Sequence, residues 1–558
     1  MKMKKWLSLS LVAVLSLSLG LAGCGNSSGD KKSDKGKEST GKEELAEEQV
    51  LRFNWQANPP NLDPQVCKDQ VSGWIINGIY EGLVRRSPNG EIKQGSGLAE
   101  KWEVSDDKLT YTFHLRDAKW SDGTPITAED FAFAWKRALN PATASEYAYQ
   151  LYHIKNGEAY NTGKIKDADQ VGITVVDPKT LKVELERPTP FFLDLLAFYT
   201  YLPAQKATVE KLGDQFATAP DKMVYSGPFV VKEWKNEQKL TLEKNPNYWD
   251  AKSVKLQRIE GDMITDANAL VNLYDTGDMD EMTVSVDFID KYKDTEDYVK
   301  VPEGTVWYLQ YNVENKYMKN ENIRKGLSLA IDRKSHVDNV LRGAGVVAGG
   351  LTPGLIKGKD DGEFAKQRGD VLPKYDAKKA KEYFEKGLKE LGITKEEFQK
   401  GTSFLAGDST RALREAQTYQ EMWKKALGVE IKIESASFKL RLDRYDRKDY
   451  TITMAGWGGD YNDPMSFMDL HLTGAPHNDA YYSNPEYDEL VKTAITTADI
   501  NERHDNLIKA EKILAKDMPI YPLYYEVKPH AVKPYVKGIA RYPVGVDTDF
   551  KWTYILKH

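Results

Sequence analysis

Residues 98–131 read LAEKWEVSDDKLTYTFHLRDAKWSDGTPITAEDF, and inside this stretch the hydrophobic period changes once. Leu109, Tyr111, Phe113 and Leu115 alternate with Thr110, Thr112, His114 and Arg116, the period of two that belongs to a strand with one buried face. His114 falls on the outward side, so it reads as a surface histidine and not as a ligand. Thr127 then stands three residues before Asp130, an N-cap with an acidic N3 residue, ahead of Phe131, Phe133, Ala134, Trp135, Ala138 and Leu139. That spacing predicts a helix with an aromatic core face. A strand feeding a capped helix gives the chain its α/β character.

The same alternation of periods continues on both sides. Val50–Trp55 is a strand-like run followed by the loop composition Asn58-Pro-Pro-Asn-Leu-Asp-Pro64, and Val71–Leu83 is a helix burying Ile75, Ile76, Ile79 and Tyr80. Strand pairs are expected at 172–176 with 180–185 and at 227–235 with 238–244, the second joined by Asn236-Glu237. Helices are expected at 322–341, 377–391 and 410–426, the last passing through Leu427-Gly428 into a strand at 429–433. No repeat occurs, and the mixture points to an α/β head of more than one lobe.

The N-terminus carries an export pattern: Lys2, Lys4 and Lys5, then a short apolar run from Trp6 to Ala22. That run is too short and serine-rich for a membrane span of about 20 apolar residues. It ends at Leu21-Ala22-Gly23-Cys24, which resembles the lipobox of bacterial lipoproteins, so residues 1–23 are expected to be removed and Cys24 to carry lipid. Residues 24–49 are rich in Gly, Ser, Lys, Asp, Glu and Thr and read as a flexible tether. A coil of roughly 20 such residues spans on the order of 25 Å. The expected address is the outer face of a cytoplasmic membrane, with the Lys-rich tether favouring a Gram-positive cell.

Composition excludes several function classes. The formal charge of the 558 residues is −6, and removing Lys2, Lys4 and Lys5 makes it about −9, with no basic block for nucleic acid. Cys67 is the one cysteine besides Cys24, so the head holds no internal disulfide and relies on its core. The eight histidines never fall into the close spacing of zinc sites, and neither a G-x-S-x-G elbow nor a P-loop is present. No metal and no cofactor are expected. Gly343–Gly350 follows a helix and not a strand, so it reads as a lobe loop and not a dinucleotide site. Paired carboxylates could still meet in space for glycosidase chemistry, but a long tether suits a receptor serving a fixed membrane machine.

Several islands carry a more specific message. Residues 98–131 resemble the signature of the family 5 extracellular solute-binding proteins, the oligopeptide/dipeptide-binding class. Asn61-Leu62-Asp63-Pro64 with Glu81-Gly82-Leu83, Gly227-Pro228-Phe229 with Asn245-Pro246-Asn247-Tyr248-Trp249, Leu329-Ala330-Ile331-Asp332-Arg333 and Gly456–Pro464 agree in order. The resemblance implies a multi-lobed, periplasmic-binding-protein-like fold closing by a hinge around a cleft. Lobe I would take 50–84, 212–305 and 526–558, lobe II 85–211, and lobe III 306–525. It also implies a monomeric receptor, not an enzyme, that delivers short peptides to the permease subunits of an ABC importer. The alternatives are a receptor of this fold for sugar or nickel, or a tethered peptidase or glycosidase.

The family's oligopeptide members hold the ligand's α-amino group with an aspartate, and the matching residue is Asp460. The residues agree with that role: Gly456-Trp457-Gly458-Gly459 sets side-chain-poor backbone directly before a carboxylate. Trp457 would wall a side-chain pocket, and Gly458, Gly459, Tyr461 and Asn462 complete the candidate site. For the ligand's carboxylate, relatives use an arginine where this chain has Met454. The basic candidates are Arg342, Arg441, Arg444 and Arg447, with Arg342 and Arg444 taken as site residues.

Overall fold

The computed structural model describes residues 44–475, 477–497 and 499–558. Cys24 and the expected signal segment lie outside the described residues. In chain order the principal strands are β1 (Val50–Asn54), β2 (Ala99–Val104), β3 (Thr110–Leu115), β4 (Ile173–Asp177), β5 (Thr180–Glu184), β6 (Phe229–Lys235), β7 (Lys239–Lys244) and β8 (Arg258–Asp262). They continue with β9 (Glu281–Thr283), β10 (Tyr298–Tyr311), β11 (Gly345–Val347), β12 (Ser403–Gly407), β13 (Lys432–Ala436), β14 (Ile452–Gly458) and β15 (Ile520–Val532). Among the described residues no helix is long and apolar enough to cross a membrane.

Three sheets organise the head. One has the order β1-β8-β7-β6, with β1 parallel to β8; a second, antiparallel throughout, has the order β2-β3-β5-β4. The third runs β11-β15-β10-β14-β12-β13, with β9 also pairing β15. Its parallel pairs, β12 with β13 and with β14, belong to an α/β unit whose crossover helix is Thr410–Leu427. Gly428, at φ +74°, ends that helix in the left-handed region that costs glycine little. β3 shows the expected alternation, its Tyr111, Phe113 and Leu115 buried. The helix after it runs Ala128–Leu139, with the Asp130 carboxylate accepting the Thr127 N–H at 2.8 Å.

Four expectations need correction. The helix expected at 71–83 ends at Ile79, because the backbone N–H groups of Ser226 and Gly227 take its last carbonyl and Arg85 donates to the Asn77 and Tyr80 carbonyls. The helix expected at 322–341 is two, Glu321–Leu329 and Arg333–Asn339, since Asp332 caps a fresh start by accepting the Ser335 N–H at 3.0 Å. The strand expected at 429–433 is β13, three residues later. The tether shortens too: residues 44–49 belong to the head, with the Ala46 N–H on the Ile555 carbonyl and Gln49 buried and bonded to Ile555 on both sides of its amide. Cys67 is a buried free thiol pushed up to about 12, first by burial, so it packs as a small hydrophobe.

Candidate functional site

The site grows from the unequal pairing of β14. Its whole length, 452–458, pairs β10, whereas β12 pairs it only at Ile452 and Thr453 before diverging. Beyond Thr453, one edge of β14 is therefore open. The Gly459 N–H donates to the Gly304 carbonyl at 2.9 Å, so residue 459 faces the β10 side. Because successive residues of an antiparallel strand point their N–H and C=O to alternate sides, Met454, Gly456 and Gly458 turn theirs to the open edge. Two of those three residues have no side chain to shield them, and both glycines are exposed. Gly456 is fixed by packing as well, since a Cβ there would lie 2.8 Å from the Trp307 ring.

Asp460 stands at the end of that edge. Its backbone N–H donates to Ser466 Oγ at 2.9 Å, and its Oδ2 accepts the Tyr149 hydroxyl at 3.1 Å from 311 residues away. Beside it lies an aromatic wall: Tyr147 stacks on Tyr149 at 5.7 Å and meets Phe198 at 5.0 Å and Tyr199 at 5.6 Å. The carboxylate is hemmed in by protein atoms yet the residue keeps partial exposure, as the wall of a cleft does. Burial pushes the Asp460 carboxyl up to about 6, and the Tyr149 hydrogen bond only partly offsets this. Its hydrogen-bonding partners, Tyr149 and Gln150, are both uncharged. Asp469 is pushed up to about 7, first by burial and then by Asp460 and Asp463. Asp463 alone is neutralised, by Arg503 at 3.0 and 2.6 Å. The loop after β14 thus carries surplus negative charge beside an open strand edge.

The predicted residues separate into those the fold brings together and those it does not. Trp457 is half-buried, its Nε1–H on the Ser466 carbonyl at 2.8 Å and its ring 5.3 Å from His477. A Cβ on Gly459 would meet Phe467 and Val544 at 2.9 Å, so that glycine serves close packing. Tyr461 is buried and stacked on Phe191 at 4.3 Å, so it packs the fold and does not face the edge. Asn462 accepts the Lys357 backbone N–H at 2.9 Å and lines a cavity of about 1130 Å³ whose wall does not include Asp460. Arg342 donates to Asp290 at 3.0 Å, and Arg444 donates to Glu434 at 2.9 Å and to the Asp449 carbonyl at 2.8 Å. Acidic partners already hold both guanidiniums, against the expectation that they receive a ligand. The arginine that reaches the edge is Arg441, whose Nη1 donates to the Met454 carbonyl at 3.3 Å. No local pattern in the sequence marks Tyr149, which sits on the 3-10 helix Ala148–His153, because its partner Asp460 is so remote along the chain.

The model of the bacterial extracellular solute-binding proteins, family 5 Middle, matches residues 93–479. The chain belongs to this family. Members of this family are binding proteins and not enzymes. This family 5 protein is 37% identical to the oligopeptide-binding protein OppA of Bacillus subtilis, over 96% of this chain and 97% of that one. Among solved structures it is similar to the substrate-binding domain of an oligopeptide ABC transporter from Bacillus anthracis, with TM-score 0.78, 34% identity and coverage of 92% and 100%. It is likewise similar to Listeria monocytogenes OppA bound to peptide, with TM-score 0.77, 35% identity and the same coverage. The α/β architecture of several sheets expected from the sequence is shared with these proteins.

Proposed function

We propose that this family 5 protein captures short peptides, seating the peptide backbone as an added strand on the open edge of β14 with its α-amino group on Asp460. The observation that carries the reading is the run Met454–Gly458 of open edge leading to a carboxylate with which no cation among the described residues pairs. Strand addition supplies sequence-independent hydrogen bonds, and one buried charge pair fixes direction. Relatives named for oligopeptide and dipeptide binding support it. Native mass spectrometry of protein purified from a peptide-rich medium is the test: intact peptides retained one per chain are expected. Retained sugar or metal, or cleaved peptides, would overturn it.

The receptor is proposed to close by a hinge between lobes with the limits given above. β10 and β15 run together through the third sheet, and the register of β10 slips between Pro302 and Val306, a bulge at which two rigid bodies can pivot. Its product is delivery of the peptide to the membrane subunits of an importer, from the outer face of a cytoplasmic membrane. Cys24 is proposed as the anchor, its acyl chains each adding about 0.8 kcal/mol per buried methylene. Mass analysis of the mature N-terminus should show lipid on Cys24, and an unmodified start elsewhere rules the anchor out.

A further inference from the structure

Two bodies of the fold that are not consecutive along the chain meet beside Asp460. The chain enters and leaves the antiparallel sheet β2-β3-β5-β4 from the part that holds β1 and β6–β8, and it reaches β14 only later, through β10. Phe191 follows β5 and stays with that sheet: its ring is 5.2 Å from His153, and the ring of the next residue, Phe192, is 4.9 Å from Tyr111 of β3. Tyr461 follows β14. Yet the Phe191 and Tyr461 rings stack at 4.3 Å with their planes only 12° apart, and both residues are buried. Arg503, held by Asp463, brings its guanidinium to 5.9 Å from the Phe191 ring, so the second body contributes a cation as well as a ring. The bond from Tyr149 to Asp460 joins the same two bodies one residue earlier.

The junction is narrow. A cavity of about 300 Å³ is lined by Pro190, Phe191 and Asp194 from the first body and by Asn462, Asp463 and Arg503 from the second. The cavity of about 1130 Å³ likewise has Leu193 and Asp194 on its wall with Leu355 and Lys357. Close to the stack, then, the two bodies already part, and the bulge of β10 between Pro302 and Val306 supplies the place to pivot. Opening there would wet two aromatic rings, which a stacked pair resists beyond the area that it buries. Tyr461 is turned away from the open edge of β14, so a peptide seated on that edge leaves the stack in place.

Resting on the peptide-receptor reading above, we infer that the Phe191–Tyr461 stack is a latch that holds the cleft closed without ligand, so that peptide enters only through a minor open state. The latch is made in the free and in the peptide-bound closed form alike. Losing it therefore multiplies the open population and the rate of release by the same factor, about tenfold for one aromatic pair with part of its buried area, and leaves the affinity unchanged. The test is stopped-flow mixing of the mature protein with pentaalanine, followed by tryptophan fluorescence. In Phe191→Leu, which keeps apolar volume without the ring, the association and dissociation rate constants should both rise about tenfold while Kd stays within about twofold of wild type, which also reports that the variant is folded. Tyr461→Leu should act alike, and the double variant no more than either. A rise in the dissociation rate alone would mean that the free protein is already open, and no change in either rate would mean that the stack holds nothing closed; both overturn the proposal. One measurement needs no peptide: the distance between spin labels attached one to each body of the ligand-free protein should be the one this structure gives, and a longer distance refutes the latch. Absence of pentaalanine binding would instead fell the underlying receptor reading, with the spin-label distance still judging the latch.

Discussion

Asp460→Ala is expected to weaken binding of a free-amine peptide by about 30-fold to several-thousand-fold, the equivalent of roughly 2 to 5 kcal/mol for removing one partner of a buried charge pair. An α-ammonium, with a pKa of about 7.7 to 8.0, is charged at neutral pH and cannot enter a dry cleft without a receiving carboxylate. Asp460 is suited to receive it because no cation among the described residues pairs with it. Acetylating the peptide's amino group should cost a similar factor in the wild type and little in D460A, since the two losses describe one interaction. Calorimetry on the four combinations decides the matter; if acetylation weakens both proteins equally, Asp460 is not the anchor. The pH profile must agree. Burial raises the folded pKa of Asp460 from 3.8 to about 6, so the ligand-free protein pays nothing below pH 3.8 and the full penalty of a buried charge above pH 6. A peptide ammonium relieves that penalty, so affinity should rise as pH climbs through about 6, level off, and fall again above about 8 as the ligand's amine deprotonates. D460A should lose the acidic limb.

Arg85→Ala is expected to destabilise the head by about 3 to 5 kcal/mol at neutral pH. Arg85, 4% exposed, donates through Nε to Glu81 at 2.9 Å and through Nη1 to Asp549 at 2.6 Å, both carboxylates being fully buried. Tyr248 donates its hydroxyl to the other oxygen of Glu81, and Asn245 ties the same region to the Gly227 carbonyl at 2.9 Å. Three of the sequence islands, at 81–83, 227–229 and 245–249, therefore meet around one buried cation. Removing the guanidinium strands two negative charges away from water, which costs far more than the pair itself contributes. Urea unfolding should show the loss shrinking as pH falls, because carboxylates left unpaired in the folded state take up protons above their unfolded pKa. A deficit under about 1 kcal/mol at pH 7 would mean that water or a rearranged neighbour replaces the guanidinium. A partial return of stability in E81Q/R85A would confirm that stranded charge is the cause.

The sequence alone determined the features written in neighbouring residues. The period of β3, the cap at Thr127, the hairpins at 173–184 and 229–244 and the glycine-rich approach to Asp460 are all local, because strand and helix periods depend on side chains two to four positions apart. Family membership was legible for the same reason, since its signature is a series of short contiguous islands. What the tertiary structure decided is which groups remain unsatisfied once the chain has packed. The edge of β14 is open only because β12 leaves it after Thr453, and Tyr149 reaches Asp460 only because two distant segments meet. Arg342 and Arg444, equal to Arg441 on paper, pair with Asp290 and Glu434, and Arg441 bonds the edge carbonyl of Met454. The Lys528 ammonium bridges Glu303 and Asp547, three residues far apart in sequence. Hydrogen-bond vacancy and uncompensated charge are properties of the whole set of neighbours in space, which local periodicity does not specify.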